Sequence, residues 1–149
     1  GTGTVLQNRG SGFTTDPAHP NCIAGGKRPL HTIIPALVTR GGRTVAVFGV
    51  VGGNYQPVGQ CHVLTNIVDY GMDVQAAVDF PRAHHDEGRV VVERSYGTRV
   101  LAGLRRYGHR TTVATEPIGG AQAIWIDDER GCLLAGSDRR KDGLALGRA

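Results

Sequence analysis

The chain has 149 residues, of which 40% are hydrophobic and 20% are charged, and its formal net charge at pH 7 is +4. This length and balance predict one globular domain over residues 1–149, with a core of its own. The charge is mild and scattered, and no apolar run approaches the ~20 residues of a membrane span, so neither nucleic acid nor a membrane is predicted as a partner.

The first third of the chain is predicted to be mostly loop. A short strand is expected over residues 4–7, and residues 10–29 are rich in Gly, Pro, Asn and Asp, which interrupt regular structure. Two runs of β-branched and aliphatic residues follow, 32–40 and 43–51, joined by Gly41-Gly42, and this spacing predicts a β-hairpin. Because both runs are apolar nearly throughout, the hairpin is expected inside a sheet that is covered on both faces.

Helices and short strands alternate in the rest of the chain. Apolar residues at three- and four-residue spacing predict helices over 57–70, 73–80 and 98–107, and strands are predicted over 90–93, 111–114, 121–127 and 132–136. Cys61 falls on the apolar stripe of the first helix and is predicted to be a core residue. Residues 138–142 are predicted to form a solvated turn whose charges pair with one another. The fold class is therefore α+β.

The segment around Gly52 and Gly53 is the most informative for chemistry. An apolar strand runs into two glycines and then into a predicted helix. Without Cβ atoms the backbone can approach a ligand closely, and amides at such a turn can stabilise an anion, including the oxyanion of acyl transfer. A strand-to-helix turn that merely requires glycine explains the same residues, so both interpretations stay open on the residues alone.

Two other polar clusters allow a functional and a structural interpretation. Residues 25–32 place two cations in a glycine loop before His31 and Thr32, which suits either a binding site or a solvated surface loop. The densest histidine group is His84-His85, but adjacent residues point to opposite sides of a strand and do not share a helix face. No metal site is therefore predicted.

Eight short motifs are spread over the whole chain in a fixed order. They are Leu6-Gln7-Asn8-Arg9-Gly10 with Phe13, His19-Pro20-Asn21, Gly26-Lys27-Arg28-Pro29-Leu30-His31-Thr32-Ile33-Ile34-Pro35, Gly49-Val50-Val51-Gly52-Gly53, Asn66-Ile67-Val68-Asp69-Tyr70-Gly71-Met72, Pro81-Arg82, Gly119-Gly120-Ala121-Gln122, and Gly136-Ser137-Asp138 with Asp142-Gly143. Together they resemble the C-terminal part of the small subunit of the gamma-glutamyltransferase family. The first and third motifs look more like the branch that includes cephalosporin-acylase-like proteins.

The resemblance implies a self-processing N-terminal-nucleophile enzyme with a four-layer αββα sandwich. It places Gly52 and Gly53 at the oxyanion hole and Asn8, Ser11, His31 and Thr32 in the substrate pocket. In true gamma-glutamyltransferases a Ser-Ser pair that holds the α-carboxylate stands at His31-Thr32. An aspartate that reads the α-amino group stands at Ser11, so hydrolysis of a small or acyl amide is favoured over γ-glutamyl transfer.

The resemblance also implies a large subunit of the same precursor as the partner, and no cofactor. The family's threonine nucleophile belongs upstream of Gly1, and Thr2 is not in its place, so the chain contains no predicted nucleophile. The chain alone is expected to lack amidase activity and to associate with itself or with a large subunit. The alternatives are a catalytically inactive structural or binding subunit of the same family, and a generic cationic binding module.

Overall fold

The computed structural model of the chain describes residues 1–4 and 7–147. It forms two compact units, Gly1–Ile33 (unit 1) and Ile34–Ala149 (unit 2). The strand predicted over residues 4–7 includes residues 5 and 6, which lie outside the described residues. The single domain over residues 1–149 stays a prediction.

Unit 1 is a loop region, as predicted. It contains a 3₁₀ turn over Arg9–Gly12 and a parallel bridge between Thr14 and Cys22. The side chain of Asn21 holds the loop together, because its amide donates to the carbonyl of Gly12 and its oxygen accepts from the Leu30 N–H at 3.1 Å.

Unit 2 contains a four-stranded antiparallel sheet, in which the strands β1 (Ala36–Arg40), β2 (Arg43–Val51), β6 (Gly120–Asp127) and β7 (Cys132–Ser137) lie side by side in that order. The predicted hairpin is confirmed: Arg40 pairs with Arg43, and Gly41 and Gly42 have φ values of 58° and 78°, which suit a two-residue turn of the hairpin type. The elements in chain order are β1 (Ala36–Arg40), β2 (Arg43–Val51), α1 (Gln56–Val68), α2 (Val74–Asp79), β3 (Ala83–Asp86), β4 (Arg89–Val92), α3 (Gly97–Arg106), β5 (Thr111–Val113), β6 (Gly120–Asp127) and β7 (Cys132–Ser137).

One face of this sheet packs against helices, and the other face is partly exposed. One face carries Ala46 and Val50 of β2 and packs with α1 and α2 around a core formed by Val50, Tyr55, Val63, Val74, Val78, Ile118, Ala121 and Ala123. On the other face Leu37, Val47 and Ile124 lie side by side in register and are 61%, 41% and 39% exposed. In this chain the sheet is therefore covered on one face, and cover on the second face stays a prediction for the whole protein.

A second sheet of three strands has the order β3-β4-β5, with β4 and β5 parallel. Strand β3 was not predicted, because the polar segment Ala83–Asp86 lacks the apolar run that marks the other strands. The helix predicted over 73–80 is confirmed as α2, and the Asp73 carboxylate caps it by accepting from the Ala76 N–H at 2.9 Å.

The prediction that Cys61 is a core residue is wrong. Helix α1 is present, but it buries Gln56, Gly59, Val63 and Asn66, and Cys61 lies exposed on another face. The reason is close packing: a Cβ built on Gly59 would lie 2.6 Å from the Tyr55 ring and 2.7 Å from the Val50 side chain, so the helix rests on the sheet through its glycine.

None of the helices in the described residues has the length and apolarity of a membrane span.

Candidate functional site

The strand β2 ends in a turn of unusual backbone conformation, the glycine turn Gly52–Tyr55. Gly52 has φ 138° and Gly53 has φ 57°, both in the half of conformational space that favours glycine. A Cβ built on Gly52 would lie 3.1 Å from the Cα of Gly119 and 3.2 Å from the Tyr55 ring. Gly52 is therefore required both for the conformation and for the close approach of a second backbone segment.

The glycine turn presents backbone donors to solvent. Both Gly52 and Gly53 are exposed, and neither N–H donates a hydrogen bond to any residue in the described part of the chain. The carbonyl of Gly52 is engaged by the Tyr55 N–H at 3.1 Å, which fixes the peptide orientation. Helix α1 begins directly after the turn, so the positive end of its dipole adds to the attraction for an anion.

The buried side chain of Tyr55 packs against the glycine turn. It is 5% exposed, and its ring packs edge-on against His84 with 5.4 Å between ring centroids. Burial raises the pKa of the Tyr55 hydroxyl to about 12, so the group stays neutral at physiological pH. In unit 2 the Tyr55 ring fills the space next to Gly52.

Gly119 closes the other side of the turn. It has φ 64°, and a Cβ at this position would lie 2.3 Å from the carbonyl oxygen of Val51. The segment Ile118–Gly119 thus lies directly against the end of strand β2. A cleft of about 570 Å³ opens here and includes Gly52, Gly119, Asp86, Glu116 and Lys141 in its lining. A larger groove of about 670 Å³ lies on the open sheet face and includes neither glycine of the turn.

A buried ion cluster of Arg82, Glu93, Asp138 and Arg140 lies behind this segment. The side chains of Arg82 and Asp138 are 2% and 0% exposed and form an ion pair with 2.5 Å between Nη2 and Oδ2. Arg140 Nη2 lies 2.7 Å from Glu93 Oε2, and its Nη1 lies 3.1 Å from Asp138 Oδ1. Two cations and two carboxylates thus neutralise one another inside unit 2.

Both carboxyl groups of the cluster are held in the ionised form. Burial raises their pKa, but hydrogen bonds from Arg140 and from backbone N–H groups outweigh it, and the pKa of Glu93 and of Asp138 lies below its ordinary value. The prediction that residues 138–142 form a solvated turn is therefore wrong for Asp138 and Arg140. Their side chains point inward, because partners far away in sequence supply the compensating charges.

The buried ion cluster forms hydrogen bonds with both backbone groups of Ile118. The Ile118 carbonyl accepts from Arg82 Nη1 at 2.8 Å, and the Ile118 N–H donates to Glu93 Oε1 at 3.1 Å. Asp138 Oδ2 also accepts from the Ala121 N–H at 2.8 Å. The cluster therefore fixes the two ends of the segment that packs against Gly52. Sequence reasoning did not find this function, although three of the eight motifs contain Arg82, Gly119 and Asp138.

In unit 1 the structure brings together three of the four predicted substrate residues around Arg9. The Arg9 guanidinium donates to Thr32 Oγ1 at 2.5 Å and to Asn8 Oδ1 at 3.2 Å, and Ser11 Oγ lies 2.8 Å from the Asn8 carbonyl. His31 is not in this group: its Nδ1 accepts from the Ile33 N–H at 3.2 Å, and its side chain is exposed. The roles of all six predicted site residues stay predictions.

Among residues 1–4 and 7–147, no group of three or more His, Cys, Asp and Glu side chains is arranged to hold a metal ion. Cys22, Cys61 and Cys132 are free thiols.

Known proteins resemble this chain over nearly its whole length. The family model described as gamma-glutamyltranspeptidase matches residues 1–148. The glutathione hydrolase-like YwrD proenzyme of Bacillus subtilis is 37% identical over 98% of this chain and 29% of its own length. For the oxamate amidohydrolase proenzyme of Klebsiella pneumoniae the identity is 33%, with the same shares covered.

The fold of this chain also matches that of a solved structure. The cephalosporin acylase from Bacillus halodurans superposes with a TM-score of 0.88 at 38% identity, over 99% of this chain and 28% of that one. The chain spans less than a third of the length of these relatives. The α+β fold and the resemblance to acylase-like members are confirmed. The chain belongs to the gamma-glutamyltranspeptidase family.

Proposed function

We propose that the protein carrying this chain is a self-processing N-terminal-nucleophile amidohydrolase, and that this chain supplies its oxyanion hole and part of its substrate pocket. The observation that carries the proposal is the glycine turn. Gly52 and Gly53 are exposed residues whose N–H groups have no acceptor within the described residues, and they precede the start of a helix. An arrangement of this kind stabilises negative charge that develops on a carbonyl oxygen.

The reaction follows from the chemistry of such a site. A threonine at the start of the mature small subunit attacks the amide carbonyl carbon through its Oγ, and its proton passes to the threonine's own amino group. The carbonyl oxygen becomes an oxyanion and accepts hydrogen bonds from the Gly52 and Gly53 amides. The C–N bond then breaks, the amine leaves with the proton, and water hydrolyses the resulting acyl ester.

Hydrolysis is favoured over transfer of a γ-glutamyl group. The Ser11 hydroxyl is engaged with the Asn8 carbonyl and carries no negative charge, so it does not pair with a substrate ammonium as a carboxylate does. Asn8, His31 and Thr32 are proposed to contact the acyl group instead. The names of the two relatives that act on other amides, an oxamate amidohydrolase and a cephalosporin acylase, support this choice.

The proposed partner is the large subunit of the same precursor. Leu37, Val47 and Ile124 form an apolar patch on the open face of the main sheet, and such patches are usually covered in a working protein. A second sheet on this face would complete the four-layer αββα sandwich. Both curated relatives are named proenzymes, which supports an origin by cleavage of one precursor.

The test is made on the complete gene product. We expect two fragments after expression, one of which begins with threonine, and release of p-nitroaniline from acyl p-nitroanilides. Gly52→Ala is expected to lower kcat about 10²- to 10³-fold, as loss of an oxyanion donor does. Gly42→Ala is the matched control, since Gly42 also has positive φ but a Cβ there meets nothing within 4 Å. An uncleaved protein without turnover would favour the inactive structural subunit.

A further inference from the structure

One edge of the Tyr55 ring lies against three glycines that come from three different parts of unit 2. They are Gly52 at the end of β2, Gly59 in α1 and Gly119 directly before β6. A Cβ built on Gly52 would lie 3.2 Å from the ring atom Cδ1, and one built on Gly119 would lie 3.0 Å from the same atom. A Cβ on Gly59 would lie 2.6 Å from Cε1. The ring therefore occupies a space that three missing side chains leave free.

The backbone of Tyr55 restricts the same turn. The Tyr55 N–H donates to the Gly52 carbonyl at 3.1 Å, so Gly52 is in contact with both the backbone and the side chain of this residue. Glycine has the widest choice of backbone conformations of any residue, and the φ of 138° at Gly52 is one among many that it can adopt. Additional contacts must therefore select this conformation, and Tyr55 provides two of them.

The aromatic ring, and not the hydroxyl group, makes the side-chain contacts. Tyr55 is 5% exposed, and its Oη is buried without a hydrogen-bond partner among the described residues. A buried hydroxyl without a partner is unfavourable, so the contribution of Tyr55 comes from the shape and volume of its ring. The ring of His84 packs edge-on against it, with 5.4 Å between ring centroids, and limits its movement from another direction.

A smaller side chain at position 55 would leave a cavity between α1, the end of β2 and the segment before β6. Protein cores close such a cavity only in part, by small movements of the surrounding segments. The Gly52 peptide is one of the groups that border this space. Its placement matters for an oxyanion, because a donor must lie about 2.7–3.1 Å from the oxygen and an error of about 1 Å can lower the rate about 10²-fold.

We propose that Tyr55 is a positioning residue of the proposed reaction, whose ring is the spacer that holds the Gly52 amide where the oxyanion forms. This inference rests on the proposed amidohydrolase function and adds a residue to it. Tyr55 acts through Gly52 and not by contact with the reacting atoms. Because the negative charge develops in the transition state and not in the bound substrate, loss of the ring lowers kcat and leaves KM unchanged.

Three variants of the complete protein test the proposal with an acyl p-nitroanilide that the wild type hydrolyses, and kcat is calculated per mole of cleaved protein. Tyr55→Leu removes the ring and should lower kcat about 10- to 100-fold at an unchanged KM. Tyr55→Phe removes the hydroxyl alone and should keep the kcat of the wild type. Val78→Ala is the control, because it opens a cavity in the same core from helix α2 and should lower Tm without lowering kcat.

Comparison of kcat with Tm separates positioning from stability. A wild-type kcat in Tyr55→Leu, or equal losses of kcat in Tyr55→Leu and Val78→Ala, would overturn the proposal. So would a Tyr55→Phe variant as slow as Tyr55→Leu, because the ring would then not be the group that positions Gly52. If Tyr55→Leu does not fold, Tyr55→Met, with its more adaptable side chain, takes its place in the same comparison. Absence of turnover by the wild type would instead count against the proposed function.

Discussion

Arg82 is buried and Arg9 is half-buried, and the two arginines differ in whether a carboxylate compensates their charge. Arg82 donates to the Val78 and Ile118 carbonyls and to the Asp138 carboxylate, and each of its neighbours is fixed by further bonds. Arg9 has two neutral acceptors and no counter-ion among the described residues. The guanidinium of Arg82 joins distant segments of unit 2, whereas that of Arg9 bonds only to neutral groups of its own loop region.

The first prediction removes the counter-ion of Arg82. Asp138→Asn should lower the free energy of unfolding by about 3–5 kcal/mol, because it leaves a buried cation without its carboxylate. Urea unfolding followed by Trp125 fluorescence measures the change. Asp128→Asn is the control, since the Arg43–Asp128 pair has side chains 74% and 52% exposed and should change stability by less than about 1 kcal/mol. Equal effects in the two variants would contradict the structural role of the buried ion cluster.

The second prediction concerns Gly119, in the segment that the buried ion cluster fixes. Gly119→Ala should cost about 2–4 kcal/mol, because it combines an unfavourable positive φ with a contact of 2.3 Å to the Val51 carbonyl. Gly131 has the same φ of 64°, but a Cβ there meets nothing within 4 Å, so Gly131→Ala should cost about 1 kcal/mol. Thermal unfolding of both variants gives the difference. If the costs are equal, Gly119 does not pack against the end of β2 as described.

The third prediction concerns pH. The folded-state pKa values of Glu93 and Asp138 are lowered, so their contribution to stability is complete above their unfolded values of about 4 and is lost as pH falls through the folded values. The free energy of unfolding should therefore decline below about pH 4. The decline should be shallower in Asp138→Asn, which has one such carboxyl fewer. Identical pH profiles for wild type and variant would show that Asp138 is not held ionised.

The sequence predicted the local elements well. The Gly41-Gly42 hairpin, the helix over 73–80 and most strands depend on neighbouring residues and turn chemistry, and the structure confirms them. Strand β3 was missed because its residues are polar and show no apolar pattern. It forms by pairing with β4 in the folded chain.

The buried face of α1 could not be predicted from hydrophobic periodicity. The apolar stripe of this helix contains Cys61 and predicts that it is buried, but packing of Gly59 against Tyr55 sets the orientation of the helix. The buried ion cluster could not be predicted from the sequence for a related reason. Arg82, Glu93 and Asp138 are separated along the chain, and each looks like an ordinary surface charge until the fold brings it to its partners.

The last prediction has the smallest effect and completes the comparison. Arg9→Met should lower the free energy of unfolding by no more than about 1 kcal/mol, because the bonds it removes go to Thr32 and Asn8, polar groups of a solvated loop region, and no buried carboxylate is left behind. The measurement is urea unfolding of the complete protein beside Asp138→Asn. A loss as large as that of Asp138→Asn would mean that Arg9 has a buried anionic partner in the whole protein. Its charge would then be structural, and the distinction between the two arginines would no longer hold.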